Sequence, residues 1–405
     1  MTTTAPFAEL LENVVDNRGK TCPTATTGTP LIATNCVKDS TLFPVFEKVR
    51  YVDSATMANW FRGHPQSGDI LFVCKGSPGQ TCLVPDPVNF CIAQDMVAVR
   101  ADSKKVYPPY LFAALRSSGV QRQIANMHVG TMIPHFKKGD FDKLLIPLPD
   151  KTAQVAIGDL YLCLSQKIEL NRRMNETLEA QARALFRDWF VDFGPVKAKM
   201  AGDTPYLAPD LWSLFPNRLD DDGVPEGWER CQVRDVLSLS YGKSLPARNR
   251  QPGSVPVYGS GGISGHHNSA LIDGPTIILG RKGTVGSLFW EAAPSFPIDT
   301  VFYVVPKVSL EYCYQLLASF PLEDMNTDAA VPGLNRDNVY RLELARPSDQ
   351  LLAAFDGHAL ALRRKLAANE FESRTLAQTR DLLLPKLMSG EIRVGDMASK
   401  ELSAA

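Results

Sequence analysis

The chain has 405 residues, of which 44% are hydrophobic and 21% are charged, and its formal net charge is -1. These values exclude an intrinsically disordered chain and argue against a broadly basic nucleic-acid binder, although they allow a local basic patch. No apolar run approaches the roughly 20 residues needed to cross a membrane, and the N-terminus lacks the basic-then-apolar pattern of a signal peptide. We therefore expect two or three domains and a cytoplasmic location, with no membrane partner.

Strand-like and helix-like regions alternate along the chain. Short β-branched or aromatic runs such as "DILFVC", "TIILG" and "DTVFYVV", set between Gly and Pro, predict strands and turns. Two later stretches have almost no helix breaker apart from Gly158 and Gly357, and each predicts one long helix. The predicted order is a strand-rich domain, a long helix, a linker or insertion, a second strand-rich domain, a second long helix and a tail, at 1–149, 150–193, 194–224, 225–347, 348–389 and 390–405.

The two halves of the chain are copies of one unit. With a shift of 198, residues 127–189 overlay 325–387 without a gap, with identities that include Asn171/Asn369 and Leu185/Leu383. Further upstream the shift is 207, where "ILFVCKGSPG" meets "IILGRKGTVG", and near the start of each unit it is 223, where "RGKTCP" meets "YGKSLP". The changing shift indicates loops of different length in the two copies.

Apolar residues in both long helices recur at alternating steps of four and three, which is a heptad pattern sustained for more than four heptads. The seam that it predicts comprises Ile157, Leu164, Ile168, Asn171, Leu178 and Leu185 in the first helix and Phe355, Leu362, Leu366, Asn369, Leu376 and Leu383 in the second. An antiparallel pairing predicts Asn171 opposite Ser373 and Asn175 opposite Asn369, a polar layer that would set the register. The alternative is that these polar residues face solvent on ordinary amphipathic helices.

Several motifs resemble catalytic loops but lack a required residue. "GKT" at 19–21 and "GKS" at 242–244 have no glycine five residues before their own glycine, so they predict no ATP site. "GRKGTVG" runs into a strand where a phosphate-binding helix would begin. "YPPY" at 107–110 has Tyr107 where an amino-methyltransferase motif needs an amide or carboxylate. We therefore predict no catalytic residue.

Cysteine spacing indicates no metal centre. The eight cysteines include no Cys-x-x-Cys pair, so a zinc site is not expected and a disulfide framework has no support. We predict no metal ligands and expect the cysteines to be small buried apolar side chains.

The whole chain resembles the DNA specificity subunit of type I restriction-modification enzymes. The resemblance is carried by "VPVYGSGGISGHHNSAL" leading into "GRKGTVGSLFW", by "VPGLNRDNVYRLEL", and by the helices "IELNRRMNETLEAQARALFRDWFVDFGPVKAK" and "TLAQTRDLLLPKLMSGEIRV". It agrees with an α+β fold in which two strand-rich α/β target-recognition domains are joined by two long antiparallel helices that form a coiled-coil spacer. The first domain departs most from the family pattern, since "CKGSPGQTCLVPDP" stands where "GRKGTVG" stands in the second.

The resemblance implies a non-catalytic subunit that binds double-stranded DNA at a bipartite, asymmetric site. Two methyltransferase subunits and the restriction (motor-nuclease) subunits would assemble on it, and S-adenosylmethionine, ATP and Mg2+ would be bound by those partners and not by this chain. Two other functions stay open at this point. They are a specificity subunit for a fused nuclease-methyltransferase and a non-catalytic coiled-coil adaptor.

The side chains expected to contact DNA are basic, amide or histidine residues in the predicted loops. They are Arg62, His64, Lys75, Gln80, Lys137 and Lys138 in the first domain and Arg248, Arg250, His266, His267, Asn268, Arg281 and Lys282 in the second. For each the alternative is a solvated surface side chain. Residues 225–347 contain 11 Lys and Arg against 12 Asp and Glu, so we expect the chain alone to bind DNA weakly.

Aromatic side chains crowd the end of the first long helix, at Phe186, Trp189, Phe190 and Phe193. They predict either a docking surface for a methyltransferase subunit or a cluster that closes the helix onto a neighbouring domain.

Overall fold

The computed structural model of the chain describes residues 3–17, 19, 21–127, 134–326 and 333–392. Most of the predicted C-terminal tail, from residue 393 on, lies outside the described residues. The chain divides into two compact units, each with its own core. Unit 1 comprises residues 1–174 and 368–405, and unit 2 comprises residues 175–367.

The described part of unit 1 contains the strands β1 (Thr3–Pro6), β2 (Leu11–Val15), β3 (Thr29–Ile32), β4 (Arg50–Val52), β5 (Ile70–Val73), β6 (Thr81–Leu83), β7 (Cys91–Ile92), β8 (Met96–Ala101) and β9 (Leu145–Leu148). They form a four-stranded antiparallel sheet in the order β2-β8-β5-β6, a three-stranded sheet in the order β4-β3-β7, and the pair β1-β9. All four side chains of β5 are buried, as expected for a short, continuous apolar strand.

The described part of unit 2 contains the strands β10 (Glu229–Gln232), β11 (Leu237–Tyr241), β12 (Val255–Gly259), β13 (Gly262–His267), β14 (Thr276–Gly280), β15 (Leu288–Glu291), β16 (Phe296–Pro297), β17 (Val301–Pro306) and β18 (Glu343–Arg346). Their sheets have the orders β11-β17-β14-β15, β13-β12-β16 and β10-β18. Each position in these sheets corresponds to a strand of unit 1, and β12 runs parallel to β16 as β3 does to β7. The internal repeat is therefore a repeat of topology.

Among the described residues the α-helices are α1 (Ser54–Asn59), α2 (Pro108–Arg116), α3 (Ser118–Met127), α4 (Lys151–Phe190), α5 (Gly194–Ala201), α6 (Pro209–Ser213), α7 (Val233–Val236), α8 (Leu310–Ser319), α9 (Arg336–Tyr340) and α10 (Asp349–Ser389), and short 3-10 helices lie at Phe7–Leu10, Thr34–Cys36, Lys138–Asp140, Ala247–Asn249 and Leu322–Asp324. In unit 1 the buried face of α2 packs in a core with the rings of Phe7, Phe72 and Phe136. In unit 2, α8 packs in a core with Phe302 and Phe355.

The long helices α4 and α10 contribute to both units and run antiparallel within each. In unit 1, Arg380 Nη1 lies 3.4 Å from Ser165 Oγ, and its guanidinium lies over the ring of Tyr161. In unit 2 the rings of Trp189 and Phe355 are 6.1 Å apart. In both cases an early residue of one helix meets a late residue of the other. The predicted antiparallel pairing of two long helices is confirmed.

Polar residues of α4 and α10 contact one another close to residues 174 and 368, where the helices leave and re-enter unit 1. Asn171 Nδ2 donates to Ser373 Oγ at 3.3 Å and to Glu372 Oε2 at 2.8 Å, so the predicted contact between Asn171 and Ser373 is present. Asn171 and Asn369 are only 1% and 2% exposed, and the solvent-facing alternative is wrong for both. In unit 2, Asn175 Nδ2 lies 3.4 Å from the carbonyl oxygen of Leu366.

The predicted seam residues all avoid full exposure. Asn171, Ile157, Phe355, Leu366 and Asn369 are buried. The other seven are half-buried: Leu164, Ile168, Leu178, Leu185, Leu362, Leu376 and Leu383.

The segment predicted to be a linker or insertion, 194–224, is a folded insertion within unit 2. It contains α5 and α6, and the side chains of Val196 and Phe215 are almost fully buried in the core of unit 2. The ring of Phe215 meets the ring of Trp189 edge-on at 5.3 Å. Of the two predicted alternatives an insertion describes the segment better, because it supplies apolar side chains to the core.

Candidate nucleic-acid interface

The turn that joins β14 to β15, "GRKGTVG", is built by two glycines in the left-handed region. Gly283 and Gly286 have φ of +86° and +76°, and Gly76 and Gly79 in the matching turn of unit 1 have +93° and +89°. At Gly286 a Cβ atom would lie 2.5 Å from the backbone nitrogen of Glu323, so a side chain is excluded there. A strand follows this turn, whereas a nucleotide-binding loop is followed by a helix whose N-terminus binds the phosphate.

The same backbone hydrogen bonds hold the turn in both units. In unit 1 the nitrogens of Cys74 and Lys75 donate to the carbonyl oxygen of Asp95, and Lys75 forms an isolated bridge with His135. In unit 2 the nitrogens of Arg281 and Lys282 donate to the carbonyl oxygen of Thr300, and Lys282 forms a bridge with Gly333. The turn is therefore bridged to His135 in unit 1 and to Gly333 in unit 2.

In unit 2 three cationic side chains lie around an exposed tyrosine. We call this group the Tyr241 cluster, and it comprises Tyr241, Arg281, Lys282 and Arg336. The guanidinium carbon of Arg281 lies 4.9 Å from the centre of the Tyr241 ring, and that of Arg336 lies 5.2 Å from it. The cluster, with residues 333–335 and Asp337, lines a cavity of about 300 Å³. Arg281 and Lys282 were predicted to bind DNA, whereas Arg336 was not.

The corresponding position in unit 1 carries an ion pair. Lys138, which matches Arg336 at the shift of 198, bonds to the carboxylate of Asp16. Strand register places Asp16 where Tyr241 lies, because Val15 pairs with Ala98 as Ser240 pairs with Tyr303. The shift at this strand is therefore 225, and the shift of 223 predicted from the sequence is wrong here. Lys75, Lys137 and Lys138 are all exposed. The hydrogen bond from Lys143 lowers the pKa of the nearby Asp140, and the charges of Lys143 and Lys137 act in the same direction.

The other candidates of unit 1 lie elsewhere in the sequence, and within the described ranges their side chains make no hydrogen bond or ion pair with these lysines. Arg62 and His64 are exposed after α1, where the backbone nitrogen of Arg62 donates to Asn17 Oδ1 and the ring of His64 lies 5.3 Å from that of Phe61. Gln80 is half-buried at the end of the β5–β6 turn. Their role in binding DNA stays a prediction.

The remaining candidates of unit 2 lie in the β12–β13 hairpin or in the residues directly beside it. Arg250 Nη1 donates to the carbonyl oxygen of Ser264 at 2.7 Å, and Asn268 Nδ2 donates to Gln251 Oε1 at 2.7 Å. Arg248 and His266 are exposed. These contacts fix the hairpin and leave parts of its side chains accessible.

His267 is a correction to the predicted set of DNA contacts. Its side chain is buried, its Nδ1 accepts a hydrogen bond of 3.0 Å from the backbone nitrogen of Gln251, and its ring meets Phe296 edge-on. A histidine with this environment stabilises the hairpin and is not available to a base edge.

The aromatic residues predicted as a docking surface are also corrected. Phe186, Trp189 and Phe190 are 2%, 0% and 7% exposed and pack in the core of unit 2 with Tyr312 and Phe355. Phe193 is half-buried and meets Trp228 edge-on at 5.6 Å. Docking is therefore wrong for the three buried rings, because burial leaves no surface for a partner. They close α4 onto the strand-rich part of unit 2.

No cluster of His, Cys, Asp or Glu that could hold a metal is found among the residues with described positions. Six of the eight cysteines are buried, Cys231 is half-buried and Cys163 is exposed. Burial raises the pKa of the Cys74 and Cys313 thiols to about 12, which makes them unreactive. No helix in the described ranges is long and apolar enough to cross a membrane.

Comparison with known proteins gives consistent matches. The model of the type I restriction modification DNA specificity domain matches residues 28–180 and 225–348. The chain is 27% identical to the type I restriction enzyme HindI specificity subunit of Haemophilus influenzae, over 81% of this chain and 87% of that protein. It is 22% identical to the type I restriction enzyme MjaIX specificity subunit of Methanocaldococcus jannaschii, over 72% and 71%. The fold is similar to the crystal structure of the type I restriction-modification S subunit from M. genitalium, with a TM-score of 0.56 and 19% identity over 96% of both chains.

Proposed function

The chain belongs to the type I restriction modification DNA specificity family, and from this membership we propose that it is the DNA-recognition subunit of a type I restriction-modification complex. The observation that carries the proposal is the doubled unit: two copies of one sheet topology that present different side chains at corresponding positions. Two such units can read two parts of a DNA site. Because their surface residues differ, the two parts differ in sequence, and the site is bipartite and asymmetric.

The proposed role is recognition without catalysis. Catalysis comes from partners in this proposal: two adenine methyltransferase subunits that bind S-adenosylmethionine, and restriction subunits that use ATP and Mg2+. The chain holds these enzymes on the recognised DNA. We place the complex in the cytoplasm, where it meets genomic DNA.

The proposed domain bounds follow the repeat. Target-recognition domain 1 is assigned to residues 1–149 and domain 2 to residues 225–347, and the spacer consists of the helical residues 150–193 and 348–389. Support comes from the bounds of α4 and α10, which begin at Lys151 and Asp349. Because the α4–α10 pair connects the units, we propose that the length of this pair sets the gap between the two parts of the DNA site.

The proposed DNA contacts divide into two kinds. Exposed Lys75 and Lys137 in unit 1 and Lys282 in unit 2 suit backbone phosphates, which position a protein but carry no sequence information. Lys138 is proposed to contact DNA less strongly, because it is paired with Asp16. The accessible hairpin residues Arg248, Arg250, His266 and Asn268 suit base edges in the major groove. Partner subunits are proposed to supply most of the additional affinity.

The experiment that tests the function is co-expression of the chain with the methyltransferase encoded beside it, followed by genome-wide mapping of methylated adenines. We expect a single bipartite motif with a fixed gap. The control is the methyltransferase without this chain, which should leave the motif unmethylated. Methylation that persists in that control, or the absence of any motif, would contradict the proposal.

A sharper version replaces residues 225–347 with the corresponding domain of a relative. One half of the methylated motif should then change while the other half and the gap stay the same. A change in both halves would show that the two units do not read DNA separately.

A further inference from the structure

The charges of the Tyr241 cluster are not neutralised by the protein. Within the described ranges, Arg281, Lys282 and Arg336 form no ion pair, and the hydrogen bond of the Arg281 guanidinium goes to the neutral carbonyl oxygen of Asp299. Arg336 Nε is buried and has no hydrogen-bond partner. Asp337 is the single carboxylate among the described residues that line the cavity. A net positive charge of about two therefore faces the cavity, which attracts an anion.

Aromatic rings hold the two guanidiniums in place. Arg281 lies over the rings of Tyr241 and Phe302, at 4.9 and 5.7 Å, and Arg336 lies over those of Tyr241 and Tyr340, at 5.2 and 5.7 Å. The Tyr340 hydroxyl in turn accepts a 2.8 Å hydrogen bond from the backbone nitrogen of Leu239. Stacking leaves the N–H edges of a guanidinium free and lowers the entropy that is lost when they bind a ligand.

On these observations, and resting on the proposed function, we infer that the Tyr241 cluster is a phosphate-binding site that holds a phosphodiester group of the DNA backbone. Planar guanidiniums bind two phosphate oxygens at once, and Lys282 adds a third, mobile cation. A contact of this kind positions unit 2 on the duplex and is independent of base sequence. Base reading is left to other side chains.

The test measures how salt weakens the binding of the full chain to a random-sequence 40-base-pair duplex, by fluorescence anisotropy between about 50 and 200 mM NaCl. Each phosphate contact contributes about 0.9 to the slope of log K against log salt concentration. Because the three cations share one phosphate, we expect Arg336→Gln to lower that slope by up to about 0.9, and so to lower the salt-induced loss of affinity by up to about threefold over this range. Arg341→Gln is the matched control, since Arg341 is exposed just beyond α9 and does not line the cavity.

Two further variants separate binding from folding. Lys282→Gln removes an exposed side chain and should lower the slope without affecting stability. Arg336→Lys keeps the charge and should keep most of the slope. If the wild-type chain binds and its slope is unchanged in both Lys282→Gln and Arg336→Gln, the phosphate site is wrong and the proposed function stands.

The methylated motif supplies the second measurement. With the methyltransferase co-expressed, Arg336→Gln should reduce methylation at the same motif. A changed motif would mean that Arg336 reads a base and would overturn the phosphate assignment. A wild-type chain that binds no duplex and directs no methylation would overturn the proposed function, and with it this site.

Discussion

In unit 2 the guanidinium of Arg336 lies over the ring of Tyr241, whereas in unit 1 the corresponding Lys138 bonds to the carboxylate of Asp16. The sheet order and the anchoring of the glycine turn are the same in both units. Two side-chain differences, tyrosine against aspartate and arginine against lysine, thus distinguish an unpaired cation in unit 2 from a neutralised one in unit 1. The two copies share one sheet topology and differ in the charged side chains at this position.

Truncation of a core side chain in either unit is expected to have the largest effect on the free energy of unfolding. Phe355 in unit 2 and Ile157 in unit 1 are related by the shift of 198, and both are buried in the cores of their units. Phe355→Ala should lower the free energy of unfolding by about 3–5 kcal/mol and Ile157→Ala by about 2–5 kcal/mol, because each leaves a cavity. Hydrogen exchange should show the loss of protection in unit 2 for the first variant and in unit 1 for the second. Leu360→Ala, at an exposed position of α10, should change stability by less than about 0.5 kcal/mol. Equal effects of Phe355→Ala and Leu360→Ala would refute the core assignment.

The polar layer allows a comparison of two asparagines of α4, Asn171 in unit 1 and Asn175 in unit 2. Asn171 Oδ1 is buried without a hydrogen-bond partner, which costs about 1–3 kcal/mol. Asn171→Leu removes that atom and should raise the free energy of unfolding by about 1 kcal/mol, net of the lost hydrogen bonds. Asn175→Leu, at a half-buried position, should stabilise less. Urea denaturation measures both, and a destabilised Asn171→Leu would show that its hydrogen bonds outweigh the orphan carbonyl.

The Asp16–Lys138 pair offers a direct conversion of unit 1 towards unit 2. Asp16→Asn frees Lys138 and should steepen the salt dependence of duplex binding by about 0.9, or about threefold in affinity over a fourfold change in salt. Asp142→Asn is the control, because it makes the same charge change at an exposed residue of unit 1. If both variants give the same slope, the effect comes from net charge alone and not from Lys138.

Thiol reactivity gives the smallest effect and a simple check of burial in each unit. Burial raises the pKa of Cys74 and Cys91 in unit 1 and of Cys313 in unit 2 to about 12. At pH 8 only roughly one in ten thousand of these thiols is the reactive thiolate. Iodoacetamide should therefore modify exposed Cys163 first and the buried cysteines only after unfolding, as mass spectrometry of timed samples would show. Rapid modification of Cys313 in the folded chain would contradict the packing of α8.

The doubled topology could be predicted because the sequence repeats itself, and the paired long helices could be predicted because apolar residues recur in a heptad pattern. Strand order could not, since pairing joins β5 to β8 and β2 to β8 across long separations. Periodicity also cannot tell a buried aromatic side chain from a docking one, and so it leaves both alternatives open for Trp189. Burial depends on the folded insertion, whose Phe215 packs on that ring.

Arg336 was missed although the sequence carried a signal for it. Lys138 was a predicted DNA contact, and the shift of 198 leads directly from it to Arg336. Applying the repeat to every predicted contact would have found it. The stacking on Tyr241 could not be found in this way, because the two residues are far apart in sequence and meet only through the sheet and its anchored turn.

The passage of α4 and α10 through both units has a consequence for synthesis on the ribosome. Leu384 and Leu387 of α10 lie in the same core as Phe7 and Phe72, so unit 1 is built from both ends of the described chain. Those leucines emerge only after all of unit 2, residues 175–367, has been translated. During synthesis, part of the apolar surface of the first strand-rich domain therefore stays uncovered until unit 2 and the end of α10 have been translated.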